Sequence, residues 1–75
     1  MKSLILIKTK LGKEREVCNS FREIKEVEEC FKTFGEWDII VLVSMKNTIN
    51  LNEFIINNIR KNSNVMLTST LIEAE

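Results

Sequence analysis

Five consecutive apolar residues, Ile39-Ile40-Val41-Leu42-Val43, sit just past the midpoint of this chain. They are β-branched or leucine throughout and show no polar alternation. Such a run reads as a strand covered on both faces, hence central in a sheet. Directly before it stands Gly35-Glu36-Trp37-Asp38, with the only tryptophan. Gly35 is one of two glycines in a chain without proline, and it separates two strand-like segments. It is read as the obligatory bend of a tight β-hairpin, where a positive φ costs glycine nothing. The segment thus supplies a core strand and a polar turn at its mouth. A function that shows locally is expected at that turn.

The other elements arrange themselves around this strand. Ser3 to Thr9 forms a first strand, with Leu4 and Leu6 on one side and Ile5 and Ile7 on the other. Both faces are apolar, so both need cover. Leu11-Gly12 breaks it. Lys13 to about Ile24 reads as a helix, with Val17, Phe21 and Ile24 in one stripe and Glu14 and Glu16 in the first turn, where the helix dipole favours negative charge. Val27 to Phe34 is a second strand, its charge content that of a sheet edge. Its expected faces are Val27, Glu29, Phe31 and Thr33 against Glu28, Cys30, Lys32 and Phe34. The central strand spans residues 37–45.

Asn47 to about Lys61 is a second helix, with a stripe of Leu51, Phe54, Ile55 and Ile59. Its start is open between two caps, Asn47 alone or Asn50 with Glu53. Val65 to about Ile72 is the last strand, with Met66, Thr68, Thr70 and Ile72 facing one way and Val65, Leu67, Ser69 and Leu71 the other.

The order βαββαβ is the split βαβ of the ferredoxin-like α+β fold. Right-handed crossovers and the hairpin give a four-stranded antiparallel sheet of order 4-1-3-2, with two helices on one face. With 75 residues, one domain over 1–75 is expected. The other sheet face would measure about 400 Å² from standard strand spacing and rise. That rivals the largest apolar patch of an ordinary monomer, so a dimeric α/β sandwich is expected, with a second copy as the simplest cover.

Composition excludes several functions. Lys and Arg number 11, as do Asp and Glu, so no positive excess exists for binding nucleic acid directly. No apolar run reaches membrane-spanning length and no signal peptide is visible, so the chain reads as cytoplasmic. Histidine is absent, which removes the commonest general base and metal ligand. No catalytic residue, metal site or cofactor is expected. Cys18 and Cys30 read as small buried hydrophobes.

A binding site is better supported. The turn offers backbone N–H groups, the Glu36 and Asp38 carboxylates and the Trp37 ring. Thr68, Ser69 and Thr70 add hydroxyls if the last strand approaches across a subunit interface. Backbone donors suit a carboxylate and Asp38 suits an ammonium group, so the set suits an α-amino acid. Trp37 reads more readily as an interface or core aromatic than as a ring that stacks on a ligand.

Several stretches together resemble the ligand-sensing (RAM) domain of the Lrp/AsnC family of regulators. They are Leu6-Ile7-Lys8-Thr9, Leu11-Gly12-Lys13-Glu14, Val27-Glu28-Glu29-Cys30, Thr33 through Ile40, Leu51-Asn52-Glu53-Phe54 and Thr68-Ser69-Thr70. The Gly-Glu-aromatic-Asp turn is the most specific of these. The resemblance implies dimerisation through the sheet, further assembly up to octamers, and an amino-acid effector site between dimers. It implicates Gly35, Glu36, Trp37, Asp38, Thr68, Ser69 and Thr70. The family's usual helix-turn-helix has no room before the first strand, so the chain looks like the stand-alone form. Two other roles are weighed: an adaptor that joins full-length regulators in mixed oligomers without binding ligand, and a small dimeric ferredoxin-like enzyme.

Overall fold

The structure, a computed structural model, describes residues 1–74. The elements are β1 (Lys2–Thr9), α1 (Glu14–Arg22), β2 (Val27–Lys32), β3 (Ile39–Ser44), α2 (Thr48–Phe54, continued by a π-helical turn over Ile55–Ile59) and β4 (Val65–Ile72). All strand pairs are antiparallel in the order β2-β3-β1-β4, which is the expected 4-1-3-2 read from the other edge.

The pleat of β1 sets the two sides of the sheet. Ser3, Ile5, Ile7 and Thr9 are buried, while Leu4, Leu6 and Lys8 between them are half-buried. In β3, Ile39, Val41 and Val43 are fully buried beside them. Val17, Cys18 and Phe21 of α1 and Leu51, Phe54, Ile55 and Ile59 of the second helical segment close over this side in one cluster. The opposite side carries Leu4, Leu6, Ile40 and Leu42, each half-buried, and Phe31, Leu67 and Leu71, which are 42%, 55% and 55% exposed. Both helices therefore cover one face and leave an apolar one open.

Several details differ from the sequence expectation. The first concerns the edge strands. In β2 the register slips between Val27 and Glu29, which sets Val27 opposite Val43 and Cys30 opposite Val41. In β4 it slips so that Val65 lies opposite Thr9 and Leu67 opposite Lys8. Each bulge inserts one residue, Glu28 or Met66, and turns a valine back towards the helices. Val27 and Val65 pack against the core and do not share the faces of Phe31 and Leu67.

The second difference is the central hairpin. β2 stops at Lys32 and β3 starts at Ile39, so Trp37 and Asp38 precede the strand. The Thr33 N–H donates to the Asp38 carbonyl at 2.9 Å and closes a loop over Phe34–Trp37. This is wider than a two-residue hairpin turn. Gly35 does take a positive φ of 121° within it.

The third lies in the second helix. Its start is settled by Asn47, whose side chain accepts the Asn50 N–H at 2.9 Å. Its end is not a regular α-helix. The Asn58 side-chain amide donates to the Phe54 carbonyl at 3.2 Å, the acceptor that its own backbone N–H uses in an α-helix. The Arg60 N–H then bonds the Ile55 carbonyl at 2.8 Å, five residues back. The widened turn keeps both Ile55 and Ile59 buried. The first helix is also shorter than expected and ends at Arg22, because the Ile24 N–H reaches Phe21 in a tighter turn.

The cap gives a direct test. Asn47→Ala removes the side-chain acceptor that caps this helix start and is expected to cost about 1 kcal/mol in urea unfolding. Asn50→Ala, which leaves that acceptor in place, is expected to cost a few tenths at most.

Candidate functional site

The site forms where β1 ends, α1 begins and the β2–β3 loop folds over. Thr9 is the hub. Its backbone N–H donates to Asp38 Oδ2 at 2.9 Å, and its hydroxyl donates to Glu14 Oε1 at 3.4 Å. Glu14 also accepts the Gly12 N–H at 2.9 Å, which ties the β1–α1 turn to the first residue of the helix. On the other side, the Thr33 hydroxyl donates to the Trp37 carbonyl, and the Asp38 N–H donates to the Ile7 carbonyl at 2.9 Å. Two loops are thus fastened to one strand end by a carboxylate each.

Between them lies a cleft of about 480 Å³ lined by Glu14, Lys32, Thr33, Phe34, Gly35 and Asp38. That size lies within the range of small-molecule sites. The lining combines the two carboxylates with an ammonium group, a hydroxyl and a phenyl ring. Phe34 is fully exposed at its lip, and so is Leu11, 98% exposed, on the adjoining β1–α1 turn. Such a set offers both signs of charge together with apolar contact.

The expected site residues divide. Gly35 and Asp38 line this cleft. Trp37 is half-buried, with Lys8 Nζ 5.9 Å from its ring centre. That is a cation–π contact. Glu36 is exposed on the loop. Thr68 lies opposite Ile7, Ser69 opposite Leu6 and Thr70 opposite Ile5. Thr68 and Thr70 are therefore on the helix side of β4 and Ser69 on the open side. Thr68 lines a separate hollow of about 340 Å³ with Arg60, Val65, Met66 and Leu67. One chain does not bring the Thr68–Thr70 stretch to the turn.

Sequence reasoning missed Glu14, Lys32, Thr33 and Phe34 as lining residues. Glu14 reads as an ordinary first-turn acid. The available signal was its position two residues after Gly12, from which its side chain reaches back to the glycine N–H. Lys32 and Thr33 adjoin the turn, and only the wider loop turns them inward.

A ferredoxin-like α+β domain with a bare apolar sheet face and a polar cleft at one end is the class these features define. The chain belongs to the Lrp/AsnC ligand binding domain family, whose model matches residues 2–74. It is 38% identical over 55 residues to the HTH-type transcriptional regulator FL11 of Pyrococcus abyssi. That match covers 73% of this chain and 36% of the regulator, so the chain spans about a third of such relatives. Among solved structures, FFRP-DM1 matches with a TM-score of 0.91 and 39% identity over 96% of each chain. The hypothetical protein PHS023 from Pyrococcus horikoshii matches with a TM-score of 0.87 and 37% identity, covering 97% of this chain and 92% of that one.

Gly35 offers a clean test of the loop. Apart from its chain neighbours, no atom of the described residues would lie within 4 Å of a Cβ at this position, so Gly35→Ala meets no clash and its cost is the backbone alone. At φ 121° that cost is expected at about 1–3 kcal/mol in urea unfolding.

Proposed function

We propose that this chain is the effector-binding, self-associating part of a transcriptional-regulator system, and that its effector is an α-amino acid. The observation that carries the reading is the cleft at Thr9, where Glu14 and Asp38 stand with Lys32 around one volume of about 480 Å³. The carboxylates suit the ammonium of an amino acid and Lys32 suits its carboxylate. Membership of a ligand-binding family whose relatives are named regulators supports the same reading. The proposed site takes in Gly35, Glu36, Trp37 and Asp38 from one copy. Thr68, Ser69 and Thr70, held away from this turn within a chain, belong to it through a neighbouring copy. Self-association is supported by the open face of Leu4, Leu6, Ile40, Leu42, Leu67 and Leu71, which water would otherwise cover at a cost that grows with apolar area.

Two measurements test this. Native mass spectrometry with a pool of the twenty amino acids is expected to show a complex heavier by one amino acid per subunit. Asp38→Asn keeps an oxygen for the Thr9 N–H but removes the charge, and is expected to weaken that binding at least tenfold, as loss of a charge-assisted bond does. Unchanged binding in this variant would move the effector away from Asp38. For assembly, Leu67→Asp puts a charge on the open face at a site already half exposed. It is expected to turn a dimer into a folded monomer in light scattering; a dimer that persists would place the contact elsewhere.

A further inference from the structure

Cys18 and Cys30 are the only cysteines of the chain, and the reading above uses neither. Cys18 is on the buried side of α1, next to Val17 and one turn before Phe21. Cys30 is the single buried residue of β2. The two are 1% and 4% exposed, and their Sγ atoms lie 2.7 Å apart. The backbone is fastened at the same point. Arg22, at the end of α1, donates from Nε and Nη2 to the Cys30 carbonyl at 3.1 and 2.8 Å. Helix and strand therefore hold the two sulfurs in contact within the folded protein. Two sulfurs are half of a zinc site, and the chain has no histidine to complete one. Bond formation between the sulfurs is the chemistry this placement favours.

We propose that the pair is an oxidative modification site, at which an intrachain Cys18–Cys30 disulfide staples α1 to β2. The oxidant is a peroxide. One thiolate attacks a peroxide oxygen and breaks the O–O bond, giving a sulfenic acid and, after protonation, water. The second sulfur then displaces the sulfenic hydroxyl, which leaves as a second water while the S–S bond forms. The thiols lose two electrons and two protons together, and hydrogen peroxide is reduced to two waters.

Burial, and after it the hydrogen bond and charge of Cys18, push the Cys30 thiol above its ordinary range. The closed protein thus holds little thiolate. Oxidation proceeds through brief openings of the β2 edge, the least enclosed strand beside α1. Once made, the bond closes a loop between positions 12 apart. It also links the helix that begins at Glu14 to the strand that runs into Lys32 and the cleft wall. The oxidised protein therefore resists peeling of that wall.

The test uses the full chain under native conditions, either reduced with dithiothreitol or treated with stoichiometric hydrogen peroxide, then unfolded and alkylated. The oxidised chain is expected to be lighter by two hydrogens, to take no alkyl group, and to yield one peptide pair joined through Cys18 and Cys30. Dithiothreitol should reverse all three. Thermal unfolding should rise by roughly 10 °C on oxidation, the scale expected for closing a loop of this size in a small domain. Cys18→Ala and Cys30→Ala should each abolish that rise. The proposal is overturned by thiols that stay fully alkylatable after peroxide, by sulfinic acid at either position, by links between chains, or by an unfolding temperature that falls. Should either variant fail to fold, the wild-type arms decide the matter unaided.

Discussion

β1 gives its backbone hydrogen bonds to β3 along one edge and to β4 along the other, from Ser3 to Ile7 on both sides. That double pairing fixes what each of its side chains faces. Ile5 and Ile7 are pinned against the helices, and Leu4 and Leu6 are pinned to the open side. A slip of one residue would exchange the two sets. The same strand ends at Thr9, which receives Asp38 from the β2–β3 loop and Glu14 from the start of α1. The cleft therefore has no scaffold of its own. It is the end of the central pairing, with two carboxylates folded back onto it. The strand also carries a cost: the Ser3 hydroxyl is buried without a hydrogen-bond partner among the described residues.

Much of this was legible because it rests on local pattern. The run Ile39–Val43 announced a central strand, and the alternation of β1 announced a sheet with two apolar sides. The order of elements then left one topology. What stayed hidden depends on competition between groups that sequence spacing does not rank. Glu28 and Met66 look like ordinary strand residues, yet each is the extra one in a bulge. Strict alternation therefore assigned Val27 and Val65 to the wrong side. Asparagine is a poor helix former, but the capture of the Phe54 carbonyl by Asn58 was not foreseeable from propensity. The lining of the candidate cleft was partly legible. Gly35 and Asp38 announce themselves by type. Glu14 becomes a site residue only because a turn brings it to the same threonine, and the position of β4 relative to the turn is a matter of tertiary distance.

The two sheet edges are finished differently. β2 carries Glu28, Glu29 and Lys32 along its free edge, the usual protection against chance strand pairing. β4, from Val65 to Ile72, has no charged residue. Apolar exposure therefore concentrates towards the β4 side of the open face and around the cleft end, where Leu11, Phe34, Met66 and Leu67 are all exposed. Contacts that assemble copies and contacts that admit a small molecule would be neighbours there.

The far end of β1 is occupied by the chain's extremities. The amino group of Met1 donates to the Met45 carbonyl, and Lys2 exchanges hydrogen bonds with Glu73 through backbone and carboxylate. Both ends of the described chain thus leave the molecule at the pole opposite the cleft. A tether attached at either end would hold the protein with its cleft pointing away from the support, and a pull between the two ends would load the β1–β4 seam first. The loops around the cleft would remain mechanically remote from that load.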